Sequence, residues 1–253
     1  MGRAFDERQQ DRSTEPLPQS TQLLRLLVRA VDALAGDFDV IELCQQLLET
    51  CIEVTDAADA GILLADQRGE LHVLASTTEA PQLLELLHFE GPGLRAYRSK
   101  SPATVPDLRD AQDLWPDFAP AALAAGYRCA YAVPLRLHRD SIGALTILAA
   151  PTAVLGHLGL RIGQILADIA AIGIAHHVLL AQGATIHAQL PTALHTRIAI
   201  EQAKGVLAEH GSRDVDLAFQ LMRAHARATG RRLTDIAADI VEGRVDLRAE
   251  ATD

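Results

Sequence analysis

The stretch Arg197–Leu207 reads RIAIEQAKGVL, which predicts a helix with two unlike sides. At 100° per residue its apolar side chains share one face, which needs a partner helix. The opposite face carries Arg197, Glu201 and Lys204, so we expect two cations in water on a rigid rod. Gly205 costs about 1 kcal/mol relative to Ala inside a helix. Either close packing against another helix or the approach of a ligand backbone would explain this glycine.

The residues that follow predict a small helical bundle. Ser212 or Asp214 is positioned to cap a second helix over 215–229, which Gly230 stops. Thr234 is then expected to cap a third amphipathic helix. Three short amphipathic helices with tight links form a bundle.

A set of residues along this region carries a family resemblance: Arg197, Ile200–Gly205, Leu207, Gly211, Ala218, Phe219, Leu221, Arg223, Ala226, Leu233 and Ala237. In these positions the stretch 190–248 resembles an ANTAR domain, the three-helix RNA-binding output domain of bacterial transcription antiterminators. Ala208 and Met222 depart from the usual pattern, but neither change removes a charge. The resemblance implies a structured RNA partner, such as paired hairpins, held by basic and small residues. By position these are Arg197, Lys204, Gly205, Arg223, Arg231 and Arg232.

Charge composition limits how this region can bind a nucleic acid. The chain has 253 residues, 49% of them hydrophobic, and a net charge of -10, which argues against unselective coating of phosphates. The stretch 194–248 has nine Lys or Arg and eight Asp or Glu, so its own charge is near zero. We therefore expect modest, structure-selective RNA binding. A DNA-binding regulator with a helix-turn-helix is an alternative, although the low local charge disfavours duplex binding.

The preceding part of the chain alternates hairpins with helices. We expect disorder over 1–20, and helices over 21–36 and 40–56, the second capped by Asp37 or Asp39. The other predicted elements are strands at 60–65, 71–75, 103–105, 129–137 and 142–149, short helices at 81–88, 94–98 and 118–125, a hairpin turn at Arg139–Ser141, and a long helix at 155–180. This order predicts an α+β fold in which helices flank an antiparallel sheet.

Several short motifs in this part carry a second resemblance: Ala60–Asp66, Gly91–Gly93, Asp107–Leu108, Trp115–Phe118, Val133–Arg136 and Ile142–Leu145. With them the chain resembles a GAF domain, a small-molecule or cofactor sensor module, and GAF followed by ANTAR is a pairing of actinobacterial regulators. We place the GAF-like domain at 21–180, a helical linker at 181–193 and the ANTAR domain at 194–248. An unknown small-molecule ligand is expected at a pocket whose candidate wall residues are Tyr97, Trp115, Phe118, Tyr127 and Arg128.

No residue pattern for catalysis is present in the sequence. It has no Cys-x-x-Cys, and neither a nucleophile elbow nor a phosphate-binding loop, so we expect no enzyme activity. His187 and His195 lack neighbouring carboxylates or thiolates for a metal site, and no cofactor is expected. A haem sensor is a further alternative, with His72, His88 and His138 as candidates by location only.

The remaining expectations concern the environment of the chain. Cys44 and Cys51 are expected to be buried, reduced thiols. The apolar stretch 162–180 contains Asp168 and two histidines, so we expect a buried helix and a cytoplasmic protein without a membrane partner. An apolar seam from 162 to 194 predicts a jointed helix suited to pairing with a second chain in a homodimer. The alternative is that the seam, above all its first half, packs back on the sheet of its own GAF-like domain. Pro191 is expected to start its second segment.

Overall fold

The computed structural model describes residues 39–77, 86–150, 157–182, 186–211, 215–245 and 247. The expectations for 1–20, for the helix at 21–36, for most of the helix at 81–88 and for caps at Ser212 or Asp214 lie outside these residues. The helices are α1 (Val40–Thr55), α2 (Pro92–Ser99), α3 (Phe118–Ala124), α4 (His157–Gln182), α5 (Ile186–Gly211), α6 (Val215–Thr229) and α7 (Leu233–Val241). The strands are β1 (Asp59–Ala65), β2 (Leu71–Ser76), β3 (Ala103–Val105), β4 (Cys129–Leu137) and β5 (Asp140–Ala149).

The five strands form one antiparallel sheet in the order β2-β1-β5-β4-β3. Both faces of this sheet are covered, because β4 and β5 are buried along nearly their whole length. One face packs against α1 and α4, and the other against a smaller cluster that includes Trp115 and Phe118. The predicted α+β architecture is confirmed, as is the strand predicted at 129–137.

The hairpin between β4 and β5 is tighter than predicted. Leu137 pairs with Asp140, so only His138 and Arg139 connect the strands. The turn expected at Arg139–Ser141 is therefore wrong. His138 adopts a left-handed backbone with φ 57°, which a two-residue connection between twisted strands requires.

Asp39 caps α1, as one of the two predicted alternatives stated. Its Oδ1 accepts hydrogen bonds from the backbone N–H groups of Ile41 at 2.9 Å and Glu42 at 3.2 Å. The cap predicted at Thr234 is wrong, because α7 already begins at Leu233 and Arg232 occupies the N-cap position. Thr234 is therefore the second residue of the helix. Thr234 instead donates both its N–H and its hydroxyl to the Asp39 carboxylate.

The helix α5 is continuous from Ile186. Pro191 therefore lies inside its second turn and does not start a helix, which corrects the prediction. The later turns are fixed by burial of Ala193 and Ile200.

The last three helices pack on one another and on the sheet domain. Ile200, Ala203 and Met222 belong to the same apolar cluster as Leu47 of α1 and Leu166 of α4. One core therefore runs through both parts of the chain. Among the described helices, none is both long and apolar enough to cross a bilayer.

Candidate functional site

Three cations surround a single buried aromatic ring where α5 meets α6. The charged groups of Arg197, Lys204 and Arg223 lie 5.8, 5.7 and 5.9 Å from the centroid of the Phe219 ring. A cation this close to a ring face is attracted by the ring quadrupole. We call these three residues the cation cluster.

Glu201 lies between the two members of the cation cluster that α5 supplies. Its carboxylate contacts Arg197 Nη2 at 2.5 Å and Lys204 Nζ at 2.7 Å, at the four- and three-residue spacings that share a helix face. Arg197 is 6% exposed and Lys204 is 1% exposed. The expectation that these cations stand in water is wrong. The helical wheel places them opposite the apolar face, but Phe219 of α6 packs against that side.

Arg223, the third member, forms ion pairs with α1. Its Nε and Nη2 donate to the two carboxylate oxygens of Glu42 at 2.8 and 3.2 Å, and its Nη1 donates to Glu49 at 2.6 Å. Arg227 also reaches Glu42, at 2.5 Å. The side chain of Arg223 is 11% exposed. Sequence reasoning missed these pairs, since no local pattern connects residues more than 170 positions apart.

The pKa values of Glu42 and Arg223 reflect the ion pairs between α1 and α6. Burial alone would raise the pKa of Glu42, but hydrogen bonds from Arg223, Gln46 and Arg227 outweigh it and leave the pKa below its ordinary value. Burial would lower the pKa of Arg223, and its bonds to Glu42 and Glu49 raise it instead. Both groups are therefore charged in the folded protein near neutral pH.

The other predicted RNA-binding residues lie apart from the cation cluster. Arg231 contacts Asp239 at 2.6 Å, and Arg232 is half-buried at the start of α7. Hydrogen bonds from Arg231 and Arg244 hold the pKa of Asp239 below its ordinary value.

Gly205 is exposed on α5. A Cβ added to it would meet no atom within 4 Å among the described residues outside its own helix backbone. Within the described chain, helix packing therefore does not explain this glycine. The other explanation that the sequence offers, the approach of a ligand backbone, stays a prediction.

A cavity of about 460 Å³ opens beside the hairpin of β1 and β2. Its walls come from the turn at 68–72, the segment 86–94 and Phe118. Polar side chains from separate segments surround it: Arg68, Glu70, His72, His88, Glu90 and Arg98. Sequence reasoning missed this rim, although the turn before β2 and the Gly91–Gly93 motif lie on two of its sides.

Of the five predicted wall residues, Phe118 lines this cavity. Trp115 lies behind it, in an edge-to-face contact with Phe118 at 6.3 Å between ring centroids. Tyr97 packs against a cluster of alanines that includes Ala96 and Ala132. The structure does not bring the aromatic residues together around one pocket.

The last two predicted wall residues form polar contacts elsewhere. Tyr127 donates its hydroxyl to Asp59 at 2.7 Å, and Arg128 pairs with Asp107 at 2.9 Å. Burial, together with the Asp59 carboxylate, raises the pKa of Tyr127.

Two rim residues of the cavity, Glu70 and His72, form a group with metal-ligand chemistry together with Asp66, which lies just outside the rim. Ligand atoms of Asp66, Glu70 and His72 lie within 4.8 Å of one another. One Asp66 oxygen already accepts from the N–H groups of Arg68 and Glu70, and the other lies 3.2 Å from His72 Nε2. The close approach of these three side chains is therefore explained by the hydrogen bonds of the turn between β1 and β2.

The three cysteines are free and buried, which confirms the expectation for Cys44 and Cys51. Burial raises the pKa of Cys51 to about 12 and raises that of Cys44 as well. Burial also raises the pKa of Cys129. Thiols of this kind stay protonated and react slowly.

Comparisons with known proteins agree with this geometry. Family models match residues 39–175 as a GAF domain and residues 188–241 as an ANTAR domain. Among solved structures, the GAF domain of a Coxiella burnetii phosphoenolpyruvate-protein phosphotransferase is 18% identical, with TM-score 0.50 over 65% of this chain and 98% of that one. The phycoerythrobilin-bound GAF domain of a cyanobacterial phytochrome is 16% identical, with TM-score 0.50 over 66% of this chain and 100% of that one. No curated protein matches the chain.

At these identities the solved structures show the fold alone. The GAF model, by contrast, covers more than half of the chain. The ANTAR match contains the cation cluster and Gly205. The chain therefore belongs to the GAF domain family and carries an ANTAR domain after its GAF domain.

Proposed function

We propose that this chain is a non-catalytic, cytoplasmic regulator that binds structured RNA and prevents transcription termination. The observation that carries the proposal is the ANTAR match over 188–241, which is a match to an RNA-binding output domain. In this proposal the ANTAR domain holds paired RNA hairpins, so that a terminator hairpin does not form. The GAF domain supplies the signal input.

The RNA site of the proposal is centred on Gly205, which is exposed, and on the cation cluster, whose buried members Arg197 and Lys204 must become accessible when RNA binds. Arginine donates two parallel hydrogen bonds to a phosphate, and a glycine without a side chain lets a backbone approach the helix closely. The near-zero charge of 194–248 favours recognition of a particular RNA shape over general attraction to phosphates.

The sensor part of the proposal rests on the cavity beside the β1–β2 hairpin. Its volume of about 460 Å³ suits a small molecule, and its rim offers cationic, anionic and imidazole groups. We propose a small polar ligand there. Signal transfer would pass through α4 and α5 to the RNA site.

A homodimer completes the proposal. Ile165 and Ile172 lie seven residues apart on α4, and their side chains are 37% and 51% exposed. Two turns of helix separate them, so they share one face. Burial of this face against a second copy would remove both side chains from water.

The test of RNA binding is a selection followed by a titration. The full-length protein is offered a pool of paired-hairpin RNAs with randomised loops, alongside duplex DNA of equal length. The enriched RNA is then titrated against the wild type and the Arg197→Ala/Lys204→Ala variant. The control variant, Arg139→Ala/Arg161→Ala, removes two exposed cations from the GAF domain.

We expect selective binding to RNA that the control variant keeps and the Arg197→Ala/Lys204→Ala variant loses. Preference for duplex DNA would replace the proposal with a DNA-binding regulator. Equal binding by all three proteins would show that the cation cluster is not the RNA site.

A further inference from the structure

The described structure pairs the candidate RNA site with carboxylates of the GAF domain. Glu42 and Glu49 lie seven residues apart on α1, and both contact Arg223 of the ANTAR domain. Glu42 also contacts Arg227. Two acidic side chains on one helix face therefore hold two arginines of another domain.

A second contact joins the N-terminal end of α1 to the N-terminal end of α7 in the ANTAR domain. One oxygen of Asp39 caps α1, while the other accepts the N–H of Thr234 at 2.9 Å and its hydroxyl at 3.0 Å. A single carboxylate thus serves the N-terminal ends of α1 and α7. Both interdomain contacts hold the ANTAR helices against α1.

We propose that α1 acts as an internal substitute for RNA phosphate, so that RNA and the GAF domain compete for Arg223 and Arg227. The inference rests on the proposed function, because it assigns a regulatory partner to the same RNA site. The docked arrangement is then the RNA-free state of the protein. RNA binding requires the ANTAR helices to leave α1.

The geometry at Arg223 explains why the two partners exclude each other. The two carboxylate oxygens of Glu42 accept from Nε and Nη2, which is the paired arrangement that a phosphate also uses. Nη1 is engaged by Glu49. With 11% of the side chain exposed, a phosphate cannot bind that edge until Glu42 leaves it.

The release variant is Glu42→Gln/Glu49→Gln, which keeps side-chain size and removes both charges. Its control is Asp56→Asn/Asp113→Asn, which removes two exposed charges from the GAF domain, away from Arg223 and Arg227. The enriched paired-hairpin RNA is titrated against the wild type and both variants. Since coupling between sites is typically worth about 5- to 150-fold, we expect the release variant to bind RNA at least about fivefold more tightly than the control.

A second measurement uses only the wild-type protein, so its result does not depend on whether Glu42→Gln/Glu49→Gln folds. Amide hydrogen exchange at Thr234 reports whether its N–H still bonds to Asp39. We expect saturating RNA to speed that exchange, because the ANTAR helices must leave α1.

Two outcomes would overturn the inference while leaving the proposed function intact. In the first, the release variant and the control bind RNA equally. In the second, exchange at Thr234 is unchanged or slowed by bound RNA. If neither the wild type nor the release variant binds any RNA of the pool, the proposed function itself fails, and the inference fails with it.

Discussion

Gly205 provides the sharpest test at the scale of a single residue. An added methyl group meets open space in the described structure, so Gly205→Ala should raise the free energy of unfolding by about 1 kcal/mol. The same methyl group would hold an RNA backbone away from α5. We expect RNA affinity to fall about tenfold, which is roughly 1.4 kcal/mol.

Urea unfolding and RNA titration of the same protein sample measure both effects of Gly205→Ala. A stabilised protein with unchanged RNA affinity would show that RNA does not approach this part of α5. A destabilised protein would show that something packs against Gly205.

Asp39 should matter more for stability than an ordinary surface carboxylate. Asp39→Ala removes the cap of α1 and the acceptor of Thr234. Loss of one cap usually lowers the free energy of unfolding by about 0.5–2 kcal/mol, and we expect Asp39→Ala to lie at or above the upper end of this range. Asp39→Ser keeps a side-chain acceptor that can cap α1, but it removes the second oxygen that accepts hydrogen bonds from Thr234. Urea unfolding should place Asp39→Ser between the wild type and Asp39→Ala, and equal values for the two variants would contradict the double role.

The ion pairs of Glu42 predict a dependence of stability on pH. Because the folded pKa of Glu42 lies below its ordinary value of 4.5, its contribution is fully present above 4.5. It is lost as the pH falls through the lowered folded pKa. The difference in unfolding free energy between wild type and Glu42→Gln should therefore hold its value above pH 4.5 and shrink over the pH range below it, as the pH falls through the lowered folded pKa. A difference that stays constant over that range would contradict the pairing with Arg223 and Arg227.

At the scale of elements, local patterns predicted the sheet well and the contacts between helices poorly. The strand at 129–137 and a cap at Asp37 or Asp39 were predicted from local signals, and the structure confirms the strand and the second of the two caps. The position of Thr234 also looked like a cap, but its partner lies 195 residues away in sequence. Local periodicity likewise assigned Arg197 and Lys204 to a face without revealing that Phe219 covers it.

The exposed face of α4 predicts self-association. Ile165→Ser/Ile172→Ser should weaken a homodimer, because each substitution removes apolar area from the proposed interface. Sedimentation velocity should show a dimer for the wild type and a shift to monomer for the variant. Leu114→Ser is the matched control, since Leu114 is 56% exposed but lies outside α4. A wild type that stays monomeric at every concentration would contradict the dimer.

For the whole molecule, the central feature is that the input and output domains share one core. Apolar residues of α1, α4, α5 and α6 belong to one cluster, and α1 also carries the carboxylates that face Arg223. Gln45 of α1 donates to the backbone carbonyl of Ser76 on β2, so the same helix is fixed to the sheet. The family resemblance predicted two domains in sequence, but not that one helix would contact both.

The most direct test of the account is single-round transcription through an intrinsic terminator that follows the enriched paired-hairpin RNA. The account predicts that the wild-type protein increases readthrough. The Arg197→Ala/Lys204→Ala variant should leave termination unchanged, and the Arg139→Ala/Arg161→Ala control should behave as the wild type. RNA that is bound by the wild type without any change in readthrough would contradict the antitermination function.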